Sequence, residues 1–363
     1  MNGQQIKKIK IEGFKSIKNC DISLGNINLL IGSNGAGKSN FISIFKLLQS
    51  IIEKSLQKYV GICGGANALM FNGRKFSEKI SMEFFFGDNS YCFTLLPTDE
   101  NNFIFDSEYF NYDGYWKNNS YVGGGYLESR WDKGVSNKID RYVRPILQNQ
   151  KWRVYHFHDT SSSARVKQTH KLTNNVELQY DAGNLAAFLL RLKKEYPLNY
   201  RQIVASIQMI APYFQDFYLE EPSQGDDIIL RWSQVGSDDI FNANQFSDGT
   251  LRFICLSTLF LQPIDLQPET IIVDEPELGL HPYAITLLSD IIKKSSSKKQ
   301  IIVSTQSVEL LNEFAADQII VVDRDPINGT IFTKFTDEEL KEWLLDDYSI
   351  GDLWKKNILG GRP

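Results

Sequence analysis

Residues 27–40 read INLLIGSNGAGKSN, an apolar run that passes directly into a glycine-rich turn. Apolar residues at 41, 44, 45, 48, 51 and 52 then follow helical spacing, so the local order is strand, glycine loop, helix. The turn matches G-x-x-x-x-G-K-[ST] without a mismatch, in the context that a P-loop needs. The motif predicts a phosphate-binding loop formed by Gly32, Ser33, Asn34, Gly35, Ala36, Gly37, Lys38, Ser39 and Asn40.

The residue types of this loop suit a nucleoside triphosphate. Glycines let backbone N–H groups curl around phosphates, and the N-terminus of the following helix adds a favourable dipole. In a P-loop, Lys38 reaches the β- and γ-phosphates and the Ser39 hydroxyl binds magnesium. The sequence therefore predicts a nucleoside triphosphate with Mg²⁺ as the ligand, and an incidental glycine turn is the alternative.

A second stretch, residues 270–276, reads TIIVDEP and ends an apolar strand with two acids. P-loop enzymes need a carboxylate at the end of a neighbouring strand to hold magnesium, and Asp274 is the predicted ligand. Glu275 is then placed to orient or deprotonate the attacking water. Two adjacent acids also occur in ordinary solvated turns, but the P-loop favours the catalytic interpretation.

Length and composition set limits on the class of protein. The chain has 363 residues, 42% hydrophobic and 23% charged, with a net charge of −5, which is typical of a globular protein of more than one lobe. The apolar run Phe253–Ile264 is too short to cross a bilayer, and no secretion signal is evident, so we expect a cytoplasmic protein without a membrane partner. The acidic balance predicts no global affinity for nucleic acid.

Patterning along the chain predicts an α/β fold. Strand, helix and strand between residues 270 and 304 indicate a parallel sheet with covering helices. Residues 79–96 predict a hairpin, residues 101–135 show no clear period and are treated as an insertion, and two helices meet at Pro197. We divide the chain into segments 1–110 (first half of the core), 111–240 (insertion with a helical lobe) and 241–363 (second half of the core).

Residues 246–252 read FSDGTLR and precede a helical run, which is also what a helix N-cap requires. Together with the P-loop and the stretch IIVDEPELGLHP at 271–282, this motif resembles the ABC-type ATPases related to SMC proteins, RecF and the OLD family. The resemblance implies an ABC-type P-loop core with a mixed or parallel sheet, an N-terminal antiparallel β-subdomain and an inserted helical lobe.

The resemblance also implies that the active site is shared between chains. In that group, the signature serine and glycine of one subunit contact the γ-phosphate held by another, so Ser247, Asp248 and Gly249 imply a homodimer or higher oligomer. The common ABC form has Gly-Gln where this chain has Asp-Gly. The family usually places a histidine where this chain has Gln306, which can donate a hydrogen bond but cannot take up a proton. We therefore expect slow ATP hydrolysis.

Residues 155–160, 184–189 and 351–363 narrow the resemblance to a bacterial group of predicted ATPases. Relatives, including OLD and Septu-type ATPases, occur in anti-phage defence beside a nuclease or other effector, which implies a sensor or regulator with a separately encoded, nuclease-like partner. Few residues follow Val322, too few for the Toprim nuclease of OLD proteins, so Asp323 and Asp325 are interpreted as a polar strand end.

A RecF-like ATPase that binds DNA is the alternative function. It would need a local basic surface, and the candidate is Arg141, Arg144, Lys151 and Arg153 with interleaved aromatic residues. A solvated face or dimer contact is the other interpretation of this cluster. A transporter subunit is weaker, because no membrane segment accompanies the ATPase motifs.

Overall fold

The computed structural model describes residues 5–114, 117–133, 140–148, 152–220, 226–336, 338–340, 343 and 348–361. Backbone contacts divide the chain into two compact units. Unit 1 comprises Met1–Arg153 and Ala315–Pro363, and unit 2 comprises Val154–Phe314. The segments 1–110, 111–240 and 241–363 stay a prediction. Lys151 of the basic cluster lies outside the described residues, as does the Arg141 side chain.

The described residues form helices and strands that are numbered here in chain order. The helices are α1 (Lys38–Ile52), α2 (Leu56–Ile62), α3 (Ala66–Leu69), α4 (Asp140–Gln148), α5 (Leu185–Glu195), α6 (Pro197–Ile210), α7 (Asp248–Leu261), α8 (Pro282–Ser296), α9 (Val308–Leu311) and α10 (Ile350–Lys355). The strands are β1 (Lys8–Phe14), β2 (Ile17–Ser23), β3 (Ile27–Ile31), β4 (Ile80–Phe86), β5 (Asn89–Pro97), β6 (Phe103–Asp113), β7 (Lys117–Gly123), β8 (Trp152–Tyr155), β9 (His170–Lys171), β10 (Phe214–Phe217), β11 (Asp227–Ile228), β12 (Arg231–Gln234), β13 (Ile240–Asn242), β14 (Thr270–Asp274), β15 (Gln300–Thr305), β16 (Ile319–Asp325) and β17 (Gly329–Lys334). Within the described ranges, no helix combines the length and apolar character needed to cross a bilayer.

Unit 1 is built on a mixed sheet with the strand order β7-β6-β5-β4-β1-β2-β17-β16-β3. Neighbours from β7 to β16 are antiparallel, whereas β16 and β3 run parallel, with Val321 opposite Ile31. All five residues of β3 are buried, which is typical of a strand covered on both faces. The predicted antiparallel β-subdomain is thus present, joined to a parallel pair.

The helix after the glycine loop follows from its apolar spacing. In α1, the residues Phe41, Ile44, Phe45 and Leu48 are fully buried, as the period predicts. Burial of each such side chain contributes about 1.5–3 kcal/mol. This packing holds the start of α1, and with it the glycine loop, at a fixed position in unit 1.

Among the described residues of the stretch 101–135, where the sequence shows no clear period, the structure contains the strands β6 and β7. β6 pairs with both β5 and β7, and its register shifts beside Glu108. Glu108 occupies a fully buried position and accepts hydrogen bonds from Tyr91 Oη (2.6 Å) and Tyr126 Oη (2.7 Å). Glu108 interrupts the apolar alternation that signals a strand. A carboxylate can be buried at this position because tyrosines that are distant in sequence donate hydrogen bonds to it.

Unit 2 contains the strands β14 and β15, which the sequence predicts as a parallel pair. β14 and β15 are parallel, and Asp274 lies opposite Ser304 at their carboxyl ends. α5 ends at Glu195 and α6 begins with Pro197 at its first turn, which confirms the predicted break. Short antiparallel sheets, β10-β12-β13 and β11-β9, complete the unit.

Candidate functional site

The glycine loop of unit 1 lies between β3 and α1, and two of its glycines are required by close backbone packing. A Cβ atom at Gly32 would lie 2.1 Å from the Val322 carbonyl oxygen. At Gly37, where φ is 124°, a Cβ would lie 2.2 Å from Thr330 Oγ1. Only glycine fits at these positions, because any side chain would displace β16 or β17.

The start of α1 presents hydrogen-bond donors. The helix begins at Lys38 without a side-chain N-cap, which leaves backbone N–H groups available at its first turn. Lys38 is 6% exposed, and its Nζ donates to the carbonyl oxygens of Gly32 (2.6 Å) and Ser33 (3.1 Å). Asn34, Gly35 and Ser39 are exposed. An ammonium, a hydroxyl and a helix N-terminus form a donor set that fits a magnesium-bound triphosphate.

A chain of side-chain hydrogen bonds supports this loop, and its members Ser16 and Thr330 were not identified from the sequence. Asn40 Nδ2 donates to Ser16 Oγ (2.7 Å), which lies 2.7 Å from Thr330 Oγ1. Thr330 Oγ1 in turn donates to the Ala36 carbonyl oxygen (2.9 Å). Because Thr330 has only one hydroxyl proton, Ser16 must donate to Thr330. The bonds therefore run in one direction, from α1 to the loop backbone.

In unit 2, the predicted acids and Gln306 lie together. Glu275 has a φ of 42°, and its N–H donates to the Ser304 carbonyl oxygen (2.7 Å). Gln306 Nε2 donates to Glu275 Oε1 at 2.6 Å. A non-glycine residue in the left-handed region costs about 1–3 kcal/mol, and such strain is concentrated at functional sites. Asp274 is partly exposed at the end of β14.

Glu277, which the sequence reasoning did not single out, supports the same turn. Its Oε1 accepts from Thr305 Oγ1 (2.6 Å) and from the Gln306 N–H (3.2 Å). Its Oε2 is shielded from solvent and has no hydrogen-bond partner among the residues that the structure describes. Burial, together with the nearby charge of Glu275, raises the pKa of the Glu277 carboxyl group.

Glu277→Gln is expected to change the pH dependence of stability. The pKa of the Glu277 carboxyl group is higher in the folded state than in the unfolded state. As the pH rises through the range between these two pKa values, this group therefore lowers the free energy of unfolding. Glutamine does not titrate, so the Tm of the variant minus that of the wild type should be a few degrees more positive near pH 8 than near pH 4.5. Thermal unfolding at both pH values measures this, with exposed Glu100→Gln as the control. An equal Tm difference at both values would contradict the prediction.

The signature residues lie at the exposed start of α7. Ser247 is the N-cap of the helix, and its Oγ accepts from the Thr250 N–H at 3.1 Å. Ser247 and Asp248 are both exposed. The capping interpretation is therefore correct for Ser247, and the same helix N-terminus can still receive an anion.

The signature helix packs closely on the turn that follows the strand acids. A Cβ at Gly249 would lie 2.3 Å from the Gly279 carbonyl oxygen, which explains the need for glycine. Arg252 donates from Nη1 to the Leu278 carbonyl oxygen and from Nη2 to that of His158, both at 2.8 Å. The Arg252 guanidinium thereby joins α7 to the turn after β14.

His158 Nε2 lies 2.7 Å from the Asp274 carbonyl oxygen, so that nitrogen must carry the proton. The described residues contain no group of three or more histidine, cysteine, aspartate or glutamate side chains suited to a metal ion.

Asp323 and Asp325 end β16, as expected of a polar strand end.

Comparison with known proteins places this arrangement in context. The model of the family described as "AAA domain, putative AbiEii toxin, Type IV TA system" matches residues 27–312. The Old nuclease of Escherichia phage P2 is 41% identical over 73 residues, which are 20% of this chain and 12% of that protein. The match therefore spans only a small part of the nuclease.

Solved structures with a similar fold are SMC heads. One is an SMC head bound to the C-terminal winged-helix domain of ScpA, with a TM-score of 0.62 at 16% identity over 93% of this chain and 99% of that one. Another is a head with an extended coiled coil from Pyrococcus furiosus, with a TM-score of 0.57 at 16% identity over 94% and 99%. These likenesses confirm the predicted α/β fold class with its mixed sheet.

Proposed function

This chain belongs to the family described as "AAA domain, putative AbiEii toxin, Type IV TA system", among the SMC- and OLD-like P-loop ATPases, and from that premise we propose that it binds ATP at residues 32–39 and hydrolyses it slowly. The observation that carries the proposal is the uncapped start of α1 beside the buried Lys38 ammonium. This is the donor arrangement that a phosphate chain requires.

Each residue has a role in the proposed reaction. Lys38 exchanges its carbonyl partners for phosphate oxygens, and loop N–H groups orient the phosphate chain. The Gln306 amide donates to Glu275 Oε1 and holds the carboxylate in position. Oε2, the other oxygen of that carboxylate, accepts a proton from the attacking water. Ser39 and Asp274 are the proposed ligands of Mg²⁺, which when bound would neutralise charge on the β- and γ-phosphates.

The proposal includes a dimer in which Ser247, Asp248 and Gly249 of one copy contact the phosphates bound by another. The exposure of Ser247 and Asp248 supports it, since a buried helix start could not meet a second molecule. Leu278 and Tyr283, 45% and 51% exposed, add apolar surface near that helix. Exposed apolar side chains of this kind are common at interfaces.

Light scattering of the Glu275→Gln protein tests the dimer. Mg-ATP is expected to double its mass, and a Ser247→Arg change added to it should abolish the doubling because the long cation blocks the helix start. The matched control is Ser297→Arg, which changes an exposed serine at the C-terminal end of α8 in the same unit. This protein should still dimerise. Since loss of an N-cap costs about 1 kcal/mol, the folded fraction must be checked by circular dichroism. Doubling by the Ser247→Arg protein would reject the composite site.

We further propose that the nucleotide state controls a separately encoded effector in anti-phage defence. The family description and the local identity to a phage Old nuclease support this assignment. Plaque counts in cells that express the chain with its neighbouring genes would test it, because Lys38→Ala should abolish protection. A salt-sensitive increase in ATPase rate on adding DNA would instead favour the RecF-like function.

A further inference from the structure

The segment 349–361 of unit 1 folds into a short helix and a glycine turn. Ser349 and Asp352 form a capping box at the start of α10. The turn ends with Gly360 and Gly361, which have φ values of 79° and 65°. The indole of Trp354 is buried, and its Nε1 donates to the Gly361 carbonyl oxygen at 2.8 Å. The turn therefore has a fixed conformation.

This turn packs against the first residue of the phosphate-binding loop. The Gly361 N–H donates to Asp323 Oδ2 at 3.2 Å. A Cβ at Gly361 would lie 2.8 Å from Val321 Cγ1, 3.0 Å from the Val322 carbonyl oxygen and 3.6 Å from Gly32 Cα. Gly32 approaches that same Val322 carbonyl so closely that its own Cβ would lie 2.1 Å away. Three backbone segments thus meet where the loop begins.

The contact continues to the ammonium group of the loop. Gly32 supplies the carbonyl oxygen that accepts from Lys38 Nζ at 2.6 Å. Resting on the proposed function, we propose that Gly361 is a positioning residue for nucleotide binding. Held by Trp354 and Asp323, it fixes Gly32 and so the geometry in which Lys38 and the loop N–H groups meet the phosphates. In sites that depend on such positioning, a misplacement of about 1 Å can cost about 10²-fold in function.

Gly361→Ala and Gly360→Ala form a matched pair for the test. Both place alanine at a positive φ, so both carry similar backbone strain. Among the described residues, a Cβ at Gly360 meets only Asp323 Oδ2, at an ordinary 3.6 Å, whereas at Gly361 it would press on β16 and towards Gly32. Gly361→Ala should therefore have a lower Tm than Gly360→Ala, and at a temperature where both variants are folded the two should differ in nucleotide affinity.

Fluorescence titration with mant-ATP is expected to give a Kd about tenfold weaker for Gly361→Ala than for Gly360→Ala. In steady-state ATP hydrolysis, KM should rise by a similar factor while kcat stays within about threefold, the pattern of lost ground-state binding. Equal Kd values for the two variants, with normal wild-type binding, would overturn the inference alone. Failure of the wild type to bind mant-ATP would overturn the proposed function and this inference with it.

Substitutions of Asp323 give a second test if Gly361→Ala does not fold. Asp323→Asn keeps an oxygen that can accept from the Gly361 N–H, whereas Asp323→Leu has similar size and no acceptor. Leucine is expected to weaken mant-ATP binding about fivefold and asparagine less than twofold, in line with the loss of one hydrogen bond. Equal affinity for the two proteins would contradict the positioning role.

Discussion

Lys38→Ala is expected to weaken ATP binding by at least about 100-fold. Each charge-assisted hydrogen bond contributes about 1.5–3 kcal/mol, and two such bonds to the β- and γ-phosphates together exceed the roughly 2.8 kcal/mol that a 100-fold change represents. The Lys38 ammonium is already buried against the Gly32 and Ser33 carbonyl oxygens, at the start of the loop that would hold the phosphates. Fluorescence titration with mant-ATP in the presence of Mg²⁺ measures the loss.

The control for this change is Lys58→Ala, which removes an exposed lysine of α2 in the same unit. It should leave the Kd within about twofold of the wild-type value, because an exposed charge outside the loop is screened by solvent. If Lys38→Ala binds mant-ATP within threefold of the wild type, residues 32–39 are a structural turn and the proposed function fails.

The parts of the site that could be predicted are those encoded by contiguous residues. The order of β3, glycine loop and α1 is contained in residues 27–52, where an apolar run, glycines and helical spacing leave one arrangement. The acids at the end of β14 follow from an apolar strand in the same way. The closeness of Gln306 to Glu275 was also implicit, because parallel strands end at the same edge of a sheet.

The remaining features depend on partners that are distant in sequence. In the sequence, Thr330 is an ordinary strand residue. In the fold, β17 places its hydroxyl within hydrogen-bond distance of the Ala36 carbonyl oxygen in the glycine loop. Gly361 reads as part of a flexible Gly-Gly pair, and only the fold shows that it abuts Gly32. Glu108 hides the strand pattern of β6, because a buried acid interrupts the apolar alternation. Its partners, Tyr91 and Tyr126, are both distant in sequence. Local pattern carries no information about such pairs.

Glu275→Gln is expected to lower the rate of ATP hydrolysis by about 100-fold or more while leaving ATP affinity within about threefold. A general base contributes about 10²–10⁴ in rate, and glutamine cannot take up the proton of the attacking water. The substitution preserves the local structure, because the carbonyl oxygen of the new amide can still accept from Gln306 Nε2 and the backbone bond to Ser304 is unchanged. Phosphate release under single-turnover conditions, with mant-ATP titration in parallel, separates chemistry from binding.

Glu313→Gln is the matched control for this substitution. Glu313 lies in the same unit and accepts from Thr286 Oγ1 and Ser289 Oγ, away from the turn that holds Glu275. It should hydrolyse ATP at the wild-type rate within about twofold. A Glu275→Gln protein with a wild-type rate would show that the base is another group. Loss of both binding and hydrolysis would instead indicate that the strained turn at residue 275 has collapsed, since its left-handed backbone depends on the bonds to Ser304 and Gln306.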